Sequence, residues 1–137
     1  ISPAIYEELI LPYEKELADY YGGVSYWHSC GNTTPFLKEI SQLPIDLFHV
    51  GPWTSYQEAD DIFGDRTALD ICLHPQRDIL DTDEEGMAKK LMDIRESCKH
   101  GNFAIRADTF MTLEDVDWEV AKMKQWVKVA KKCFGER

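Results

Sequence analysis

Short apolar runs of strand length alternate with stretches of helical period along the whole chain, and this alternation constrains the fold more than any single motif. Ser2-Pro3 reads as an N-cap followed by proline at the first helical position. Apolar residues then recur at Ile5, Leu9, Tyr13, Leu17 and Tyr20, roughly helical spacing. Pro12 inside this run should kink or divide the helix, and Gly22-Gly23 should stop it. Four strand–helix units follow. The strands are predicted at Val24–His28, Ile45–Val50, Thr67–Leu73 and Phe103–Arg106. The first intervening helix opens at Thr34-Pro35, buries Phe36, Leu37 and Ile40, and is followed by Pro44. The second runs from Tyr56 to Phe63 behind a Ser55/Glu58 capping box, with a turn at Gly64-Asp65. The third, about Asp83 to Lys99, follows a Thr82/Glu85 box and ends at Gly101. The last is expected from Leu113 to about Cys133, capped by Thr112, with Val116, Val120, Met123, Val127 and Ala130 on its apolar side.

Strands alternating with helices at this spacing imply a parallel sheet with right-handed crossovers, an α/β fold. Four units do not close an eight-stranded barrel, so the chain is either a small open α/β sheet or half of a (β/α)8 barrel. At 137 residues it is expected to be a single domain over 1–137 with an ordinary core. The first residue is Ile1 rather than Met, which suggests a fragment of something longer.

Composition narrows the partners. A net charge of −10 argues against a nucleic-acid groove or an anionic membrane surface. No apolar run approaches the roughly 20 residues that span a bilayer, and no signal peptide is recognisable. The four cysteines, Cys30, Cys72, Cys98 and Cys133, are widely spaced in a chain with a normal apolar fraction. That pattern fits a reducing compartment, and a cytoplasmic location is expected.

In both candidate folds the ligand site lies at the carboxyl ends of the strands, and the unusual chemistry of this sequence falls there. The first strand leads into His28-Ser29-Cys30-Gly31-Asn32, the second delivers His49 and Gly51-Pro52-Trp53, the third Asp70, Cys72 and His74, and the fourth Arg106 and Asp108. Residues i and i+2 of an extended strand share a face, so His28 and Cys30 look the same way, and both are good zinc ligands. The plainer reading is a buried polar pair, hydrogen-bonded locally, with Gly31 needed only for the turn. Two ligands do not make a zinc site, because a catalytic zinc normally has three protein ligands and an open position. Cys72, His74 and Asp108 are the candidates for the third; Cys72 could equally be core, and His74, preceding Pro75, could face solvent.

Asp70 and Asp108 could hold a ligating imidazole from behind. Asn32 and Arg106 are candidates for contacting a bound cofactor or substrate. Arg106 could clamp a carboxylate or phosphate in bidentate fashion, or pair with one of these aspartates. Trp27 and Trp53 read as packing, Cys98 and Cys133 as small buried hydrophobes near helix ends. The acidic run Asp81 to Glu85 suits a helix N-terminus and needs no further role.

The pattern S-P-x-x-Y-E-E-x-x-x-P-Y at Ser2–Tyr13, followed by H-x-C-G-N at His28–Asn32 and the turn at Cys72–Pro75, resembles the carboxyl-terminal half of the uroporphyrinogen decarboxylase superfamily. The resemblance spans essentially the whole chain and implies the later half of a TIM barrel. It also separates two branches. In the zinc-dependent corrinoid methyltransferases of this superfamily, the H-x-C motif supplies two zinc ligands and a cysteine after the last strand supplies the third. The zinc there binds a thiol or similar acceptor, which takes a methyl group from a methylated corrinoid (cobalamin) protein. The decarboxylases lack the first two ligands and use no metal. His28 and Cys30 therefore place the chain nearer the methyltransferases, with zinc as cofactor and a corrinoid protein and a small-molecule methyl acceptor as partners.

One departure bears on this expectation. Where the third ligand should follow the last strand, the sequence reads Ile105-Arg106-Ala107-Asp108-Thr109, without a cysteine. By rough alignment Asp108 takes that position, or Cys72 or His74 has assumed the role, or the site has decayed or been repurposed. The alternatives are a metal-independent lyase resembling the decarboxylase, and a non-catalytic half-barrel acting through dimerisation across its open sheet edges. A half-barrel alone is expected to be inactive.

Overall fold

The computed structural model describes residues 1–108 and 115–135. Helix α1 (Pro3–Leu9) is capped by Ser2, whose Oγ accepts from the Ile5 N–H at 3.3 Å. Helix α2 (Leu11–Tyr21) begins just past Ile10, so the helical run is divided as Pro12, which has no N–H to donate, requires. Gly22 ends α2 in the left-handed conformation at φ +78°, where a side chain would be strained. Strand β1 (Val24–Trp27) follows, then a 3-10 turn at Thr34–Phe36 running into the short α3 (Leu37–Ile40).

Strand β2 (Ile45–Val50) leads to α4 (Tyr56–Phe63), and a 3-10 turn at Gly64–Arg66 leads to β3 (Ala68–Leu73). A π-helical turn at Gln76–Leu80 precedes α5 (Glu84–Ser97), and β4 (Phe103–Ala107) and α6 (Val116–Phe134) complete the order. The strands lie in the sequential order β1-β2-β3-β4, every pair parallel. A doubly wound sheet reverses its strand order to place helices on both faces. Here the order never reverses, so crossovers of one hand carry every helix to the same side. That is compatible with four successive units of a (β/α)8 barrel.

The register separates the two faces. Trp27 pairs with Phe48, Phe48 with Leu69 and Leu69 with Phe103; Val50 pairs with Ile71 and Ile71 with Ile105. This row packs under the helices, where Phe48 lies between Trp27 (ring centroids 5.3 Å) and Phe63 (4.6 Å). The opposite row carries Tyr26, His49, Asp70, Cys72 and Arg106. This second face, the one that would line a barrel interior, holds the chemistry.

Several local expectations are corrected. In the Ser55/Glu58 box only one arm forms: Ser55 Oγ accepts from the Glu58 N–H at 3.2 Å, while the Ser55 N–H donates to Thr34 Oγ1 at 2.8 Å. Asp83 rather than Thr82 caps α5, because its carboxylate reaches the Gly86 N–H at 2.8 Å. The predicted cap Thr112, with Leu113, lies outside the described residues; α6 starts at Val116 with Asp115 accepting from the Trp118 N–H at 3.0 Å. On α6, Val116 and Val127 are exposed, and Val129 is buried with Trp126, Ala130 and Cys133 against the core. The stripe Ile5, Leu9, Tyr13, Leu17 and Tyr20 is exposed as well, because Tyr6, Leu11 and Ala18 take the core-facing side of α1 and α2. Periodicity locates an amphipathic stripe without saying which side the sheet occupies. Among the described residues no helix is long and apolar enough to cross a membrane.

Candidate functional site

Leaving β1, the chain places His28 and Cys30 together, with His28 Nε2 3.2 Å from Cys30 Sγ and both residues exposed. The sequence expected the two side by side on a strand reaching His28, whereas β1 ends at Trp27 and the turn after it brings them together. The turn that carries them is tied to the loop after β2 by two buried threonines. The Thr33 N–H donates to Thr54 Oγ1 at 3.0 Å, the two hydroxyls are 3.0 Å apart, and Thr54 Oγ1 donates to the Gly31 carbonyl at 3.4 Å. Asn32 serves the turn itself, its Oδ1 accepting from the Thr34 N–H at 3.0 Å.

Against His28 lies a residue that the sequence places at the same edge without a role. His49 is 2% exposed, and its ring stacks on that of His28 with centroids 4.2 Å apart and planes 16° from parallel. His49 Nδ1 is 2.9 Å from the carbonyl oxygen of Ser29, the residue between His28 and Cys30. A carbonyl only accepts, so Nδ1 carries the proton and Nε2 of the neutral ring is a bare lone pair. That Nε2 is buried with no hydrogen-bond partner. Burial, aided by the neighbouring His28 and Arg106, lowers the His49 pKa against the opposing pull of the Ser29 carbonyl, which keeps the ring neutral near pH 7. A Cβ at Gly51 would stand 3.5 Å from both His49 Cε1 and Ser29 O, ordinary van der Waals contact. The signal in the sequence was a lone histidine at the end of an apolar strand, in step with Leu47 and Gly51.

Further along the same face, Asp70 gathers two partners. Tyr26 Oη donates to Asp70 Oδ2 at 2.7 Å, and Arg106 Nε lies 3.0 and 2.9 Å from the two carboxylate oxygens. The Asp70 contact raises the Arg106 pKa further, so the guanidinium is charged throughout the working range. Of the two roles open to Arg106, the ion pair is the one formed. Asp70 is thereby engaged by Tyr26 and Arg106 rather than holding an imidazole.

The other candidates are spread around the rim. Cys72 pairs in register with Arg106 and is buried, which pushes its thiol up to about 11 and keeps it protonated at neutral pH. Asp108 lies past the end of β4, its N–H on the Leu73 carbonyl at 3.2 Å and its carboxylate 4.0 Å from Arg106 Nη1. His74 belongs to the turn after β3: its Nδ1 accepts from the Arg77 N–H at 3.2 Å and its ring stands edge-on to Trp53 at 5.4 Å. Among the described residues, no group of three or more His, Cys, Asp or Glu side chains stands ready to hold a metal ion. The donor types do suit zinc at two positions, His28 and Cys30, and the His49 ring stacks on that of His28.

A family model described as Uroporphyrinogen decarboxylase (URO-D) matches residues 1–131. No curated protein matches the chain. The match covers nearly all of the sequence, and the sequential parallel sheet with its helices on one side is what part of a TIM barrel requires. The chain belongs to the uroporphyrinogen decarboxylase (URO-D) family.

Proposed function

We propose that this chain carries the metal-binding rim of a zinc-dependent methyltransferase, moving a methyl group from a methylated corrinoid protein to a thiol or similar small-molecule acceptor. The observation that carries the reading is the His28–Cys30 pair, an imidazole nitrogen and a thiol sulfur 3.2 Å apart at the carboxyl end of β1. His28 Nε2 and Cys30 Sγ would hold the ion. When bound, zinc supplies positive charge that lowers the pKa of an acceptor thiol.

The chain's own residues do the rest. The Thr33–Thr54 clasp and the His49–Ser29 hydrogen bond fix the turn, so the two donors are presented without reordering the loop. The exposure of both donors leaves the solvent side open for the acceptor and for the corrinoid carried by its partner protein. The ion pair of Asp70 with Arg106 sets a charged, hydrogen-bonded floor further along the face. In this reading the remaining barrel surface comes from a further four strand–helix units, or a second copy, across the open edges of β1 and β4.

Zinc content and affinity test the reading directly. The purified full chain should bind one equivalent, and His28→Ala and Cys30→Ala should each abolish tight binding while leaving the fold intact by circular dichroism. A folded wild type that takes up no zinc would sink it. A second reading, a metal-independent lyase resembling the family's decarboxylases, draws support from the lack of a preformed three-donor group among the described residues. Porphyrinogen turnover that is indifferent to chelators would favour it.

A further inference from the structure

We propose that the outer face of α1 and α2 is a docking site for α6 of a second copy of this chain, an acidic and apolar surface that receives a basic one. The inference goes beyond the zinc reading and does not depend on it.

The helix pair at the start of the chain turns large apolar side chains to solvent. Ile5 is 45% exposed, Leu9 58%, Tyr13 67%, Leu17 57% and Tyr20 81%. Single exposed apolar residues are ordinary, but a run of them on one surface marks an interaction site. Acids frame this one: Glu7, Glu8, Glu16 and Asp19 are all exposed. Tyr13, Glu16, Leu17 and Tyr20 stand at i, i+3, i+4 and i+7, so a carboxylate lies among the apolar groups on the same helix face. The single cation of the pair, Lys15, is drawn off to Gln42 Oε1 at 2.7 Å, and Glu14 is engaged by Tyr6 Oη. The face that remains is apolar and negative.

Helix α6 is its counterpart. From Val120 to Gly135 the sequence holds Lys122, Lys124, Lys128, Lys131 and Lys132 and no acid, in a chain of net charge −10. Local causes account for three of these. Lys122 donates to the Thr82 carbonyl, and Lys131 and Lys132 lie in the last turn, where the helix dipole favours cations. Lys124 and Lys128 stand in the middle of the helix, four residues apart, where like charges repel. Both are exposed and flank Val127, itself 46% exposed. Glu16 and Asp19 offer them ion pairs, and Tyr13 and Tyr20 offer ring faces to an ammonium. Within one copy the two surfaces lie apart: α2 borders β1 through Leu17, Tyr21, Val24 and Trp27, and α6 borders β4 through Phe134 and Phe103, at opposite ends of the sheet. The contact is therefore heterologous, α6 of one copy on α1 and α2 of the next. Two copies of the same net charge repel at long range, but about 0.1 M salt screens that repulsion beyond about 10 Å, and the paired side chains meet well inside that distance.

The test is sedimentation velocity of the purified chain over a concentration series in about 0.1 M and about 1 M NaCl. A chelator is present throughout, so zinc content does not enter. The wild type is compared with Lys124→Glu/Lys128→Glu, with Glu16→Lys/Asp19→Lys, and with an equimolar mixture of these two variants, each shown to be folded by circular dichroism. The expected result is association of the wild type that weakens about tenfold or more at the higher salt. Each variant alone should lose it, because its two faces now carry one sign. The mixture should regain it, because the reversed α6 of one variant meets the reversed α2 of the other. A folded wild type that stays monomeric at every concentration would overturn the proposal. Association that salt and both variants leave unchanged would overturn it too, and would place the contact at the open sheet edges. Folded variants that fail to associate when mixed would also overturn it, leaving the α6 lysines to an acidic partner other than this chain.

Discussion

Removing the Asp70 carboxylate should cost the chain about 2–3 kcal/mol, and the figure follows from what leans on it. Asp70 is 8% exposed and accepts from Tyr26 Oη and from Arg106 Nε. Hydrogen bonds to a charged group contribute about 1.5–3 kcal/mol each, and stripping one partner from a fully buried pair costs about 3–5 kcal/mol. Neither donor is fully buried, however: the Arg106 side chain is 41% exposed and Tyr26 is 43% exposed. Water reaches both once the carboxylate is gone, which places Asp70→Ala at the lower end. With a urea m value of about 2 kcal/mol/M, the unfolding midpoint should fall by about 1–1.5 M. Combining Asp70→Ala with Arg106→Ala should recover about 1 kcal/mol relative to additivity, because the second substitution removes a charge already left without its partner. The assay is urea unfolding of the four proteins followed by tryptophan fluorescence. Additivity within about 0.5 kcal/mol, with Arg106→Ala costing nothing by itself, would refute the pairing. Arg106 would then be available to an anionic ligand, the role the ion pair denies it.

Other residues give sharper local readouts. At pH 8, iodoacetamide followed by peptide mass spectrometry should modify exposed Cys30 first, whereas Cys72 and Cys98, raised to about 11 and about 12 chiefly by burial, should react only on unfolding. Equal rates for Cys30 and Cys72 would contradict the placement of the latter under the rim. Asp83→Ala should destabilise by about 1 kcal/mol through loss of the α5 cap, and Thr82→Ala by clearly less, compared by thermal unfolding. Burial acts to raise the Asp78 pKa, but the Arg77 guanidinium and the His74 N–H outweigh it and hold the carboxyl below 3.8. A depressed folded-state pKa stabilises fully above the unfolded value of about 3.9 and is lost as pH falls through the folded one. Asp78→Asn should therefore flatten the urea midpoint's decline below about pH 4; an unchanged acid limb would count against the contact.

How legible this was in the sequence depended on the range of the interaction. Strand β2 and helix α4 fall where the pattern put them, since an apolar run bounded by Pro44 and Gly51, and a helix begun by Ser55, are decided within a few residues. The His28–Cys30 approach was readable for the same reason, being a property of two positions in one turn. Thr82 and Asp83 are adjacent and chemically equivalent as caps, and only the backbone angles at Asp83 select between them. The side of α1 and α2 that meets the core, and the side of α6, depend on where the sheet passes, which no local period encodes. His49 was hardest of all. Its role comes from a carbonyl 20 residues away, and a single histidine in an apolar strand carries no spacing to mark it.

The two faces of the sheet are built to different rules, and the contrast argues for a working site. Under the helices the strands present Trp27, Phe48, Leu69, Ile71 and Ile105, which gain simply by leaving water. On the other face the same strands bury His49, Asp70 and Cys72, two of which are polar groups that cost free energy unless matched. Asp70 is matched twice over. His49 is matched only at Nδ1, and its second nitrogen is left without a partner in a ring stacked on that of exposed His28. A leucine at position 49 would fill the space without that penalty, and the turn already has the Thr33–Thr54 clasp to hold it. Structure alone gives the Nε2 lone pair nothing to do. Among the described residues that lone pair is the one buried imidazole atom left unmatched on this face.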